Sequence, residues 1–531
     1  MRNYNNYADM ITFTRASSGT ALAKISGGGN LLSGDSSTFT SGFGDWVFYT
    51  GGTATVSNGA FTYSGSGGTT YQIGNFLTVG KAYKITYDFT RTVDTYGLMV
   101  GDRLSTSTQV RTPLGDGQLS GTITGYIICG FASAVIGVYA NSGGSGTIDN
   151  VIIEEILYDQ PDGTLQLFNH PTNQPRVEYD YQGNRLGLLV EEARTNLIPY
   201  SNTSAGWSRT TDITKTSNYS TGPNGLSSSI RLQKPSNSGV SSYFNAGLLI
   251  SGGTANKTFT VSCWAKGTGK FQLKNTHGGV IDSFSSDIDA TPNWTRYEFT
   301  VTNSSIAGNG LQYVGLSWNS TDSKASVVDI EIFGFQLEQG SFATSYIPTS
   351  GATATRSADV ATIGVGAFGY NQKAGTALIE MDTVSSSFHA LNVNTDATNR
   401  FAIYGSTSTL YLYVRNSFGT YNNSLGVLSN NSLKAAATLK EDRGYSGSRD
   451  ATTNFSIDVP NFIVPPVTKI NIGSNESGGQ QMTGHIKNIT YYPRRLTDAQ
   501  IQKLTQIKAV PTLSLTFDGN SDSYLETSIH G

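Results

Sequence analysis

Two stretches of the chain, LTVGKAYKITYDF (77–89) and GGTANKTFTVSCWA (252–265), alternate apolar and polar residues through most of their length. Successive side chains of a β-strand point to opposite faces of a sheet, so this period of two predicts strands with one face turned towards a core. Because the two stretches share this pattern, we interpret them as the same strand in two copies of one domain. The side chains predicted to face inward are Tyr83, Ile85, Tyr87 and Phe89 in the first copy and Phe259, Val261 and Cys263 in the second.

The similarity extends on both sides of these strands and defines an internal repeat. Upstream, NLLSGDSSTFTSGFGDW (30–46) is similar to NLIPYSNTSAGW (196–207). Downstream, AVIGVYANSGGSGTIDNVIIEEI (134–156) is similar to YVGLSWNSTDSKASVVDIEIFGF (313–335), with Asp149 aligned to Asp329. Each copy has roughly the 100 or more residues of a β-sandwich domain.

The C-terminal part carries a third set of short alternating runs, such as TLYLYVRN (409–416), and then the clearest helix of the chain. In this helix, LTDAQIQKLTQI (496–507), Thr497 is predicted to be the N-cap, and Ile501, Leu504 and Ile507 are predicted to form an apolar stripe. The sequence therefore predicts an all-β chain of three tandem β-sandwich (jelly-roll) domains, joined by extended connector segments and ending in one short helix. The predicted segments are an N-terminal attachment segment 1–29, a sandwich 30–155, a connector 156–195, a sandwich 196–340, a connector 341–372, a sandwich 373–507 and a tail 508–531.

Composition supports this prediction and excludes several classes of protein. Of the 531 residues only 14% are charged and 61 are glycine, which suits short strands and turns better than amphipathic helices. The net charge of −3 comes without a basic stripe, so we expect no nucleic-acid partner. No apolar run is long enough to span a membrane, and the N-terminus lacks the apolar region of a secretory signal.

The two cysteines, Cys129 and Cys263, lie in strand-like runs of different repeats. We expect both to be buried free thiols, since unpaired cysteine behaves as a small apolar side chain. No disulfide framework is implied, which fits folding in a reducing cytoplasm, and no cysteine or histidine spacing suggests zinc.

Three segments resemble recurrent motifs of phage structural proteins: FTRASSGT (13–20), PRVEYDYQGNRLGLLVEEARTNLI (175–198) and QLEQGSFATSYIPTSGATATRSADV (336–360). Such proteins are head-spike fibre, tail-fibre or minor tail proteins, and gene transfer agents carry relatives. In that family the first motif usually runs quickly into the second, so the first sandwich looks like an inserted domain. The two repeats resemble carbohydrate-binding modules of the galactose-binding jelly-roll type. GHIKNITYYPRRLTDAQIQKL (484–504) resembles the end of concanavalin/laminin-G-like sandwiches.

This resemblance implies a non-enzymatic structural protein of the virion surface that presents carbohydrate-binding domains for adhesion to host glycans. The expected partners are other virion proteins, host cell-surface polysaccharide and further copies of the chain, with a trimer as the expected oligomer, assembled in the host cytoplasm. Two alternatives stay open: a purely architectural decoration or tail protein, and a virion-associated polysaccharide depolymerase. A bacterial adhesin is disfavoured by the absence of a signal peptide.

A sugar site needs an aromatic face for the C–H side of a pyranose and polar groups for its hydroxyls. Trp264 is predicted to lie on the polar face of its strand beside Thr260 and Ser262, which makes these three residues the candidate sugar-binding set. The alternative is a tryptophan covered by a loop or by a neighbouring subunit. The other four tryptophans are predicted to be structural: Trp318 in the core, Trp46 and Trp207 at an edge strand, and Trp294 capping the core.

Acidic residues offer two weaker sites. The matched Asp149 and Asp329 are interpreted as turn caps or as weak candidates for a structural calcium site, because calcium prefers clustered oxygen ligands. Glu191 and Glu192 could pair as glycosidase carboxylates, but a structural ion pair with Arg15 or Arg356 is favoured. No nucleophile elbow, zinc helix, phosphate loop or dinucleotide fingerprint is present, so we expect no catalytic residues and no cofactor.

Overall fold

The computed structural model describes residues 11–506 apart from short gaps at 49–52, 65–67, 75, 93–96, 103–104, 112–118, 131, 133, 141–144, 202, 204, 235–239, 251–252, 279–280, 305–309, 386 and 429–431. The predicted tail 508–531 and Ile507 lie outside the described residues. The chain divides into two compact units. The first comprises the described residues up to Thr14, Leu186–Glu192 and the described residues from Ala358 onward; the second comprises Arg15–Arg185 and Ala193–Ser357.

The elements are almost all strands, which confirms the all-β class. Up to the end of the first repeat they are β1 (Thr12–Thr14), β2 (Gly19–Asn30), the one-turn helix α1 (Asp35–Thr38), β3 (Val47–Phe48), β4 (Thr53–Ser57), β5 (Ala60–Ser64), β6 (Gly68–Gly74), β7 (Ala82–Arg91), β8 (Gly97–Asp102), β9 (Ser105–Arg111), β10 (Ser120–Ile128), β11 (Ala134–Ala140) and β12 (Ser145–Leu157). Between the repeats they are β13 (Thr164–His170), β14 (Val177–Tyr179), β15 (Arg185–Val190) and β16 (Arg194–Asn196).

The second repeat contains β17 (Trp207–Arg209), β18 (Thr214–Ser217), β19 (Ile230–Lys234), β20 (Ser242–Leu249), β21 (Thr258–Thr268), β22 (Lys270–His277), β23 (Ile281–Phe284), β24 (Ile288–Asp289), β25 (Thr295–Thr302), β26 (Leu311–Trp318), helix α2 (Thr321–Ala325) and β27 (Val328–Gln339). The rest of the chain contains β28 (Ala354–Arg356), β29 (Val360–Gly364), a 3-10 turn (Val365–Ala367), β30 (Ala374–Thr383), β31 (Phe388–Asn394), β32 (Arg400–Ser406), β33 (Thr409–Asn416), β34 (Gly419–Val427), β35 (Ser432–Lys440), β36 (Gly444–Arg449), β37 (Thr452–Ile457), β38 (Lys469–Ile472), β39 (Gly484–Tyr492) and helix α3 (Asp498–Thr505).

The two repeats have the same strand order. In the first, one sheet runs β4-β5-β12-β7-β10 and the other β3-β6-β11-β8-β9. In the second, the matching sheets run β18-β19-β27-β21-β25 and β17-β20-β26-β22-β23. Each pair of sheets encloses its own apolar core, so both repeats are β-sandwiches built on one plan.

An asparagine at the start of each repeat makes the same hydrogen bonds. The side-chain oxygen of Asn30 accepts from the backbone N–H groups of Leu32 (3.1 Å) and Ile153 (2.9 Å). The side-chain oxygen of Asn196 accepts from those of Ile198 (3.1 Å) and Leu337 (3.2 Å). Each asparagine thereby ties the entry of its sandwich to the last strand, although Asn196 is fully buried and Asn30 is exposed.

The predicted inward faces are confirmed. Alternation places these side chains in the two cores, at no more than 4% exposure: Tyr83, Ile85, Tyr87, Phe89, Phe259, Val261 and Cys263. Cys129 and Cys263 are buried free thiols, as predicted. Burial raises the pKa of the Cys263 thiol far above its usual range, so this cysteine acts as a core side chain.

The segments around the sandwiches are themselves strands in sheets. β13 pairs with β2, and β2 in turn pairs with the end of β12, where Gly27 lies opposite Ile156. The chain therefore enters and leaves the first sandwich on adjacent, hydrogen-bonded strands. β16 pairs with β28 in the second unit, and β1 pairs with β29 in the first.

The chain passes between its two units four times, and each passage falls in one of the three motif segments quoted above. The passages follow Thr14, Arg185, Glu192 and Ser357. Each of these motifs therefore supplies strands to both units. Glu191 and Glu192 end the stretch that belongs to the first unit, whereas Arg15 and Arg356 belong to the second.

The first unit contains the third sandwich. Its sheets run β1-β29-β38-β31-β32-β33-β34 and β15-β39-β30-β35-β36-β37, with a core between them. Thr497 is the N-cap of helix α3, as predicted. Its hydroxyl accepts from the Gln500 backbone N–H, and the Gln500 side chain completes a capping box. The predicted stripe is wrong at Leu504, which is 37% exposed. The helix buries Ile501, as predicted, together with Thr505, whose hydroxyl bonds Ser448 at 2.9 Å.

Candidate functional site

The predicted sugar platform at Trp264 is wrong. Trp264 is 3% exposed, and Thr260 and Ser262 are fully buried. The Arg296 guanidinium lies 4.6 Å from the centre of the Trp264 ring, and the Tyr346 ring packs edge-on at 5.7 Å. The chain that follows β27 covers this face, since Gly340 accepts a 2.9 Å hydrogen bond from the Thr260 hydroxyl. A sugar therefore has no free ring face to stack on at Trp264.

The calcium prediction assumed that Asp149 and Asp329 occupy equivalent positions in the two repeats. The structure shows that they do not. The last strand of each repeat has a β-bulge, β12 against β7 and β27 against β21. The bulge residue with a left-handed backbone is Asn150 (φ 49°) in β12 and Gly334 (φ 65°) in β27. Counted from these bulges, Asp149 corresponds to Phe333, so the alignment with Asp329 is wrong. The segment before the last strand accounts for the error, because it has four residues in the first repeat (141–144) and nine, including helix α2, in the second (319–327).

The environments of the two aspartates also differ. Asp329 receives two hydrogen bonds from the Arg231 guanidinium, at 2.7 Å and 2.5 Å, and this contact lowers the pKa of Asp329. Asp149 accepts a bond from the next residue's backbone N–H. Within the described part of the chain, no three His, Cys, Asp or Glu side chains are grouped so as to hold a metal ion.

The remaining tryptophans have structural positions. Trp318 is fully buried in the second core, as predicted. Trp46 and Trp207 stand at the edge strands β3 and β17. Each donates its indole N–H to an earlier backbone carbonyl, that of Ser36 at 2.9 Å and that of Tyr200 at 3.0 Å. Trp294 packs against the cluster around Trp264 rather than against the sandwich core.

The outer face of the third sandwich combines aromatic rings with polar side chains, which is the combination that the sequence predicted at Trp264. We call this surface the tyrosine face, and it consists of His389, Arg400, Tyr404, Tyr411, Tyr413, Arg415, Asn422 and Ser424. Cross-strand pairing puts His389, Tyr404, Tyr411 and Ser424 in one row across β31, β32, β33 and β34.

Three rings of this row stack in sequence. The His389 and Tyr404 rings lie 5.3 Å apart at 20°, and the Tyr404 and Tyr411 rings lie 5.3 Å apart at 22°. Tyr404 therefore has a ring on both sides, whereas beyond Tyr411 the next residue of the row is Ser424, which is exposed. The residue beyond the half-buried Tyr411 ring is therefore a small, exposed serine rather than a further aromatic ring.

Polar groups surround the stacked rings. Asn422 is exposed and donates from its amide to the Tyr404 hydroxyl at 2.9 Å. The Arg400 guanidinium lies 4.8 Å from the centre of the Tyr413 ring and pairs with Glu476. Burial raises the pKa of Glu476, but its backbone hydrogen bond and Arg400 outweigh burial and lower the pKa overall. This surface thus combines an aromatic face with amide, hydroxyl and guanidinium groups.

The buried His389 should make the third sandwich sensitive to acid. Burial and the nearby Arg400 guanidinium lower the pKa of His389 from 6.5 to about 4, against an opposing effect of Glu476. The unfolded chain binds this proton near pH 6.5 and the folded chain only near pH 4, so folding stability falls as the pH drops between these values. Between pH 6.5 and pH 4 we expect the free energy of unfolding of wild type to fall by about 2–3 kcal/mol more than that of His389→Gln.

Hydrogen exchange of peptides from β31 and β32, followed from pH 7 to pH 4, measures this difference. The comparison uses the slope with pH, so a change in baseline stability in the variant does not affect it. Equal slopes for wild type and His389→Gln would contradict the assigned role of His389.

Sequence reasoning predicted the strands of the tyrosine face but not their aromatic surface. The signal was present in TLYLYVRN, where Leu410, Leu412 and Val414 alternate with Tyr411 and Tyr413. The leucines and the valine are fully buried, so the tyrosines must point outward. Only the pairing of β33 with β32 and β34 reveals which side chains flank them.

Comparison with known proteins gives low similarity. No family model matches the chain, and no curated protein matches it in sequence. Similar solved structures include the tandem CBM22-1–CBM22-2 domains of Xyn10C from Paenibacillus barcinonensis (11% identity, 60% of this chain and 100% of that one, TM-score 0.20). Domains LG4-5 of mouse laminin alpha1 are 10% identical, cover 56% of this chain and 91% of that one, and have a TM-score of 0.20. The Trypanosoma rangeli sialidase is 9% identical, covers 86% of this chain and 83% of that one, and has a TM-score of 0.23.

These TM-scores are too low for the likenesses to bear on the function of this chain. As for the described helices, none combines the length and apolar character that a membrane span requires.

Proposed function

We propose that this chain is a non-enzymatic surface protein of a virion that adheres to host-cell polysaccharide through the tyrosine face. The observation that carries the proposal is the position of Tyr411 at the end of the His389–Tyr404–Tyr411 stack, beside a small exposed serine. Aromatic rings present a large contact area at low conformational cost. The amide of Asn422 on the neighbouring strand β34 and the guanidinium of Arg415, four residues further along β33, are available for hydroxyl or carboxylate groups of the sugar.

Tyr411→Ala tests the adhesive surface directly. The change removes the outer ring of the stack and leaves the buried neighbours Leu410 and Leu412 in place. We expect binding of the isolated chain to host capsule or lipopolysaccharide to weaken roughly two- to tenfold, since one aromatic contact contributes about 0.5–1.5 kcal/mol. Surface plasmon resonance on immobilised polysaccharide measures this loss.

Tyr243→Ala provides the matched control. Tyr243 is a tyrosine of the second repeat with 37% exposure, and it lies outside the tyrosine face. This variant should bind as wild type does. Equal affinities of wild type and Tyr411→Ala would contradict adhesion through this surface.

The virion location rests on a different observation. The three segments that resemble phage structural proteins contain all four passages of the chain between its units, so the likeness falls where the chain passes from one unit to the other. Electron microscopy of particles labelled with antibody to this protein tests the location. Label on the particle surface is expected, whereas label only on unassembled protein would contradict it. A homotrimer, expected for a fibre component and useful for multivalent adhesion, is tested by native mass spectrometry.

The burial of Trp264 favours a second candidate function. A face that is polar in the first repeat is covered by the chain's own residues 340–349 in the second, which serves packing rather than ligand binding. In a purely architectural protein, particles carrying Tyr411→Ala would adsorb to host cells as wild-type particles do.

A further inference from the structure

The second unit contains a cavity of about 410 Å³, within the range of roughly 300–1,000 Å³ that is usual for small-molecule sites. Tyr126 and Ile128 of β10 and Phe168 of β13 line one part of it. Phe333 of β27 and Tyr346, from the chain that follows β27, line another part. The cavity is separate from the tyrosine face, which belongs to the first unit.

Four aromatic rings line this cavity in two pairs. The Tyr126 and Phe168 rings lie 5.6 Å apart at 81°, and the Phe333 and Tyr346 rings lie 5.4 Å apart at 61°. The pairs belong to two apolar clusters that β13 joins, since Phe168 packs in one cluster and Leu167 in the other. Aromatic rings attract one another beyond the effect of buried area alone. The lining therefore favours an aromatic occupant over an aliphatic one of the same size.

Several polar side chains at the cavity already have partners within the protein. The Tyr126 hydroxyl donates to the side-chain oxygen of Gln166 at 3.1 Å, and the Gln166 amide donates to the backbone oxygen of Asn224 at 2.7 Å. The Thr20 hydroxyl donates to the backbone oxygen of Tyr346 at 2.5 Å. Among the described residues that line the cavity, none carries a charged side chain. A charged ligand would therefore lose its hydration here without meeting a counter-charge, which is costly.

We propose that this cavity binds an uncharged aromatic molecule. The apolar walls reward the removal of its surface from water, and the four rings add edge-to-face contacts. Water gains little beside such walls, and apolar cavities in proteins bind aromatic hydrocarbons such as benzene. The proposal goes beyond adhesion to polysaccharide and does not depend on the tyrosine face.

Two dyes that share one ring system test the choice of an uncharged ligand. N-phenyl-1-naphthylamine is uncharged, whereas 8-anilino-1-naphthalenesulfonate carries the same rings and a sulfonate. Both fluoresce more strongly when they leave water, so titration of the full chain gives both affinities. We expect one saturable site that binds the uncharged dye at least tenfold more tightly than the charged one.

Competition between two small hydrocarbons tests the choice of an aromatic ligand. Toluene and methylcyclohexane have the same carbon skeleton, but only toluene has an aromatic ring. We expect toluene to displace the uncharged dye at a concentration roughly two- to tenfold lower than methylcyclohexane requires.

Three tryptophan variants test the location of the site. Leu226→Trp and Ile128→Trp fill the cavity from two half-buried positions of its lining, and each should abolish binding of the uncharged dye. Leu119→Trp is the control, because Leu119 is 56% exposed and is not part of the lining; it should bind the dye as wild type does. Circular dichroism checks that each variant folds, and a variant that fails this check leaves the decision to the other and to the ligand comparisons.

Four results would each overturn the proposal. They are the absence of dye binding, equal affinity for the two dyes, displacement by methylcyclohexane at an equal or lower concentration than toluene, and dye binding that survives in a folded Leu226→Trp or Ile128→Trp variant. None of these results bears on polysaccharide adhesion, which the Tyr411→Ala variant tests separately.

Discussion

Replacing Asn196 by alanine is expected to lower the free energy of unfolding of the second unit by about 3–4 kcal/mol. The Asn196 side chain accepts from two backbone N–H groups and donates to the carbonyls of Phe335 (3.2 Å) and Ile347 (2.9 Å). Alanine leaves all four groups unpaired at a fully buried position. Denaturant unfolding followed by tryptophan fluorescence measures the loss, because all five tryptophans lie in the second unit.

The first repeat supplies the matched control in Asn30→Ala. Asn30 accepts the same two backbone bonds but is exposed, so water can replace the lost partners. We expect a loss of about 1 kcal/mol. Equal losses for the two variants would show that burial does not set the strength of this shared feature.

Gly315→Ala is expected to destabilise the second unit by about 2–4 kcal/mol. Gly315 lies in the middle of β26, and a Cβ atom there would stand 2.2 Å from the Phe244 carbonyl oxygen and 2.7 Å from the Asn245 Cα. Both obstacles are backbone atoms of the adjacent strand β20, so the sheet must open to admit a methyl group. The same fluorescence measurement applies.

Gly130→Ala makes the identical change where space is free. Gly130 is exposed, and a Cβ atom there would meet nothing within 4 Å. Its stability should match that of wild type within about 0.5 kcal/mol. A Gly315→Ala variant that unfolds at the same denaturant concentration as wild type would contradict the close approach of β20 and β26.

The fold class and the inward strand faces could be predicted from sequence because alternation fixes which side chains share a face. The period of two in 83–89 and 259–263 depends only on local geometry, and the burial of these residues follows it. The same alternation placed Trp264 correctly on the outer face of β21. It could not show that residues 340–349 return to cover that face, because this contact joins segments about 80 residues apart.

The alignment of the two repeats was the second limit on what the sequence could predict. The repeat alignment was correct at Asn30 and Asn196, where the hydrogen bonds match, and wrong at Asp149 and Asp329. A left-handed residue can be glycine in one copy and asparagine in the other, so Asn150 and Gly334 do not align by type. The tyrosine face was missed for a related reason, since its residues come from four strands whose pairing no local pattern specifies.

The pairing of Gly27 with Ile156 has a consequence for how this protein can change over generations. The first sandwich begins and ends at neighbouring points of one ladder, so its removal leaves a gap that a short turn can close at little entropic cost. Recombination can therefore delete this cassette or exchange it for another without redirecting the path of β2 into β13. A whole module can thus be replaced in one event while the rest of the chain keeps its fold.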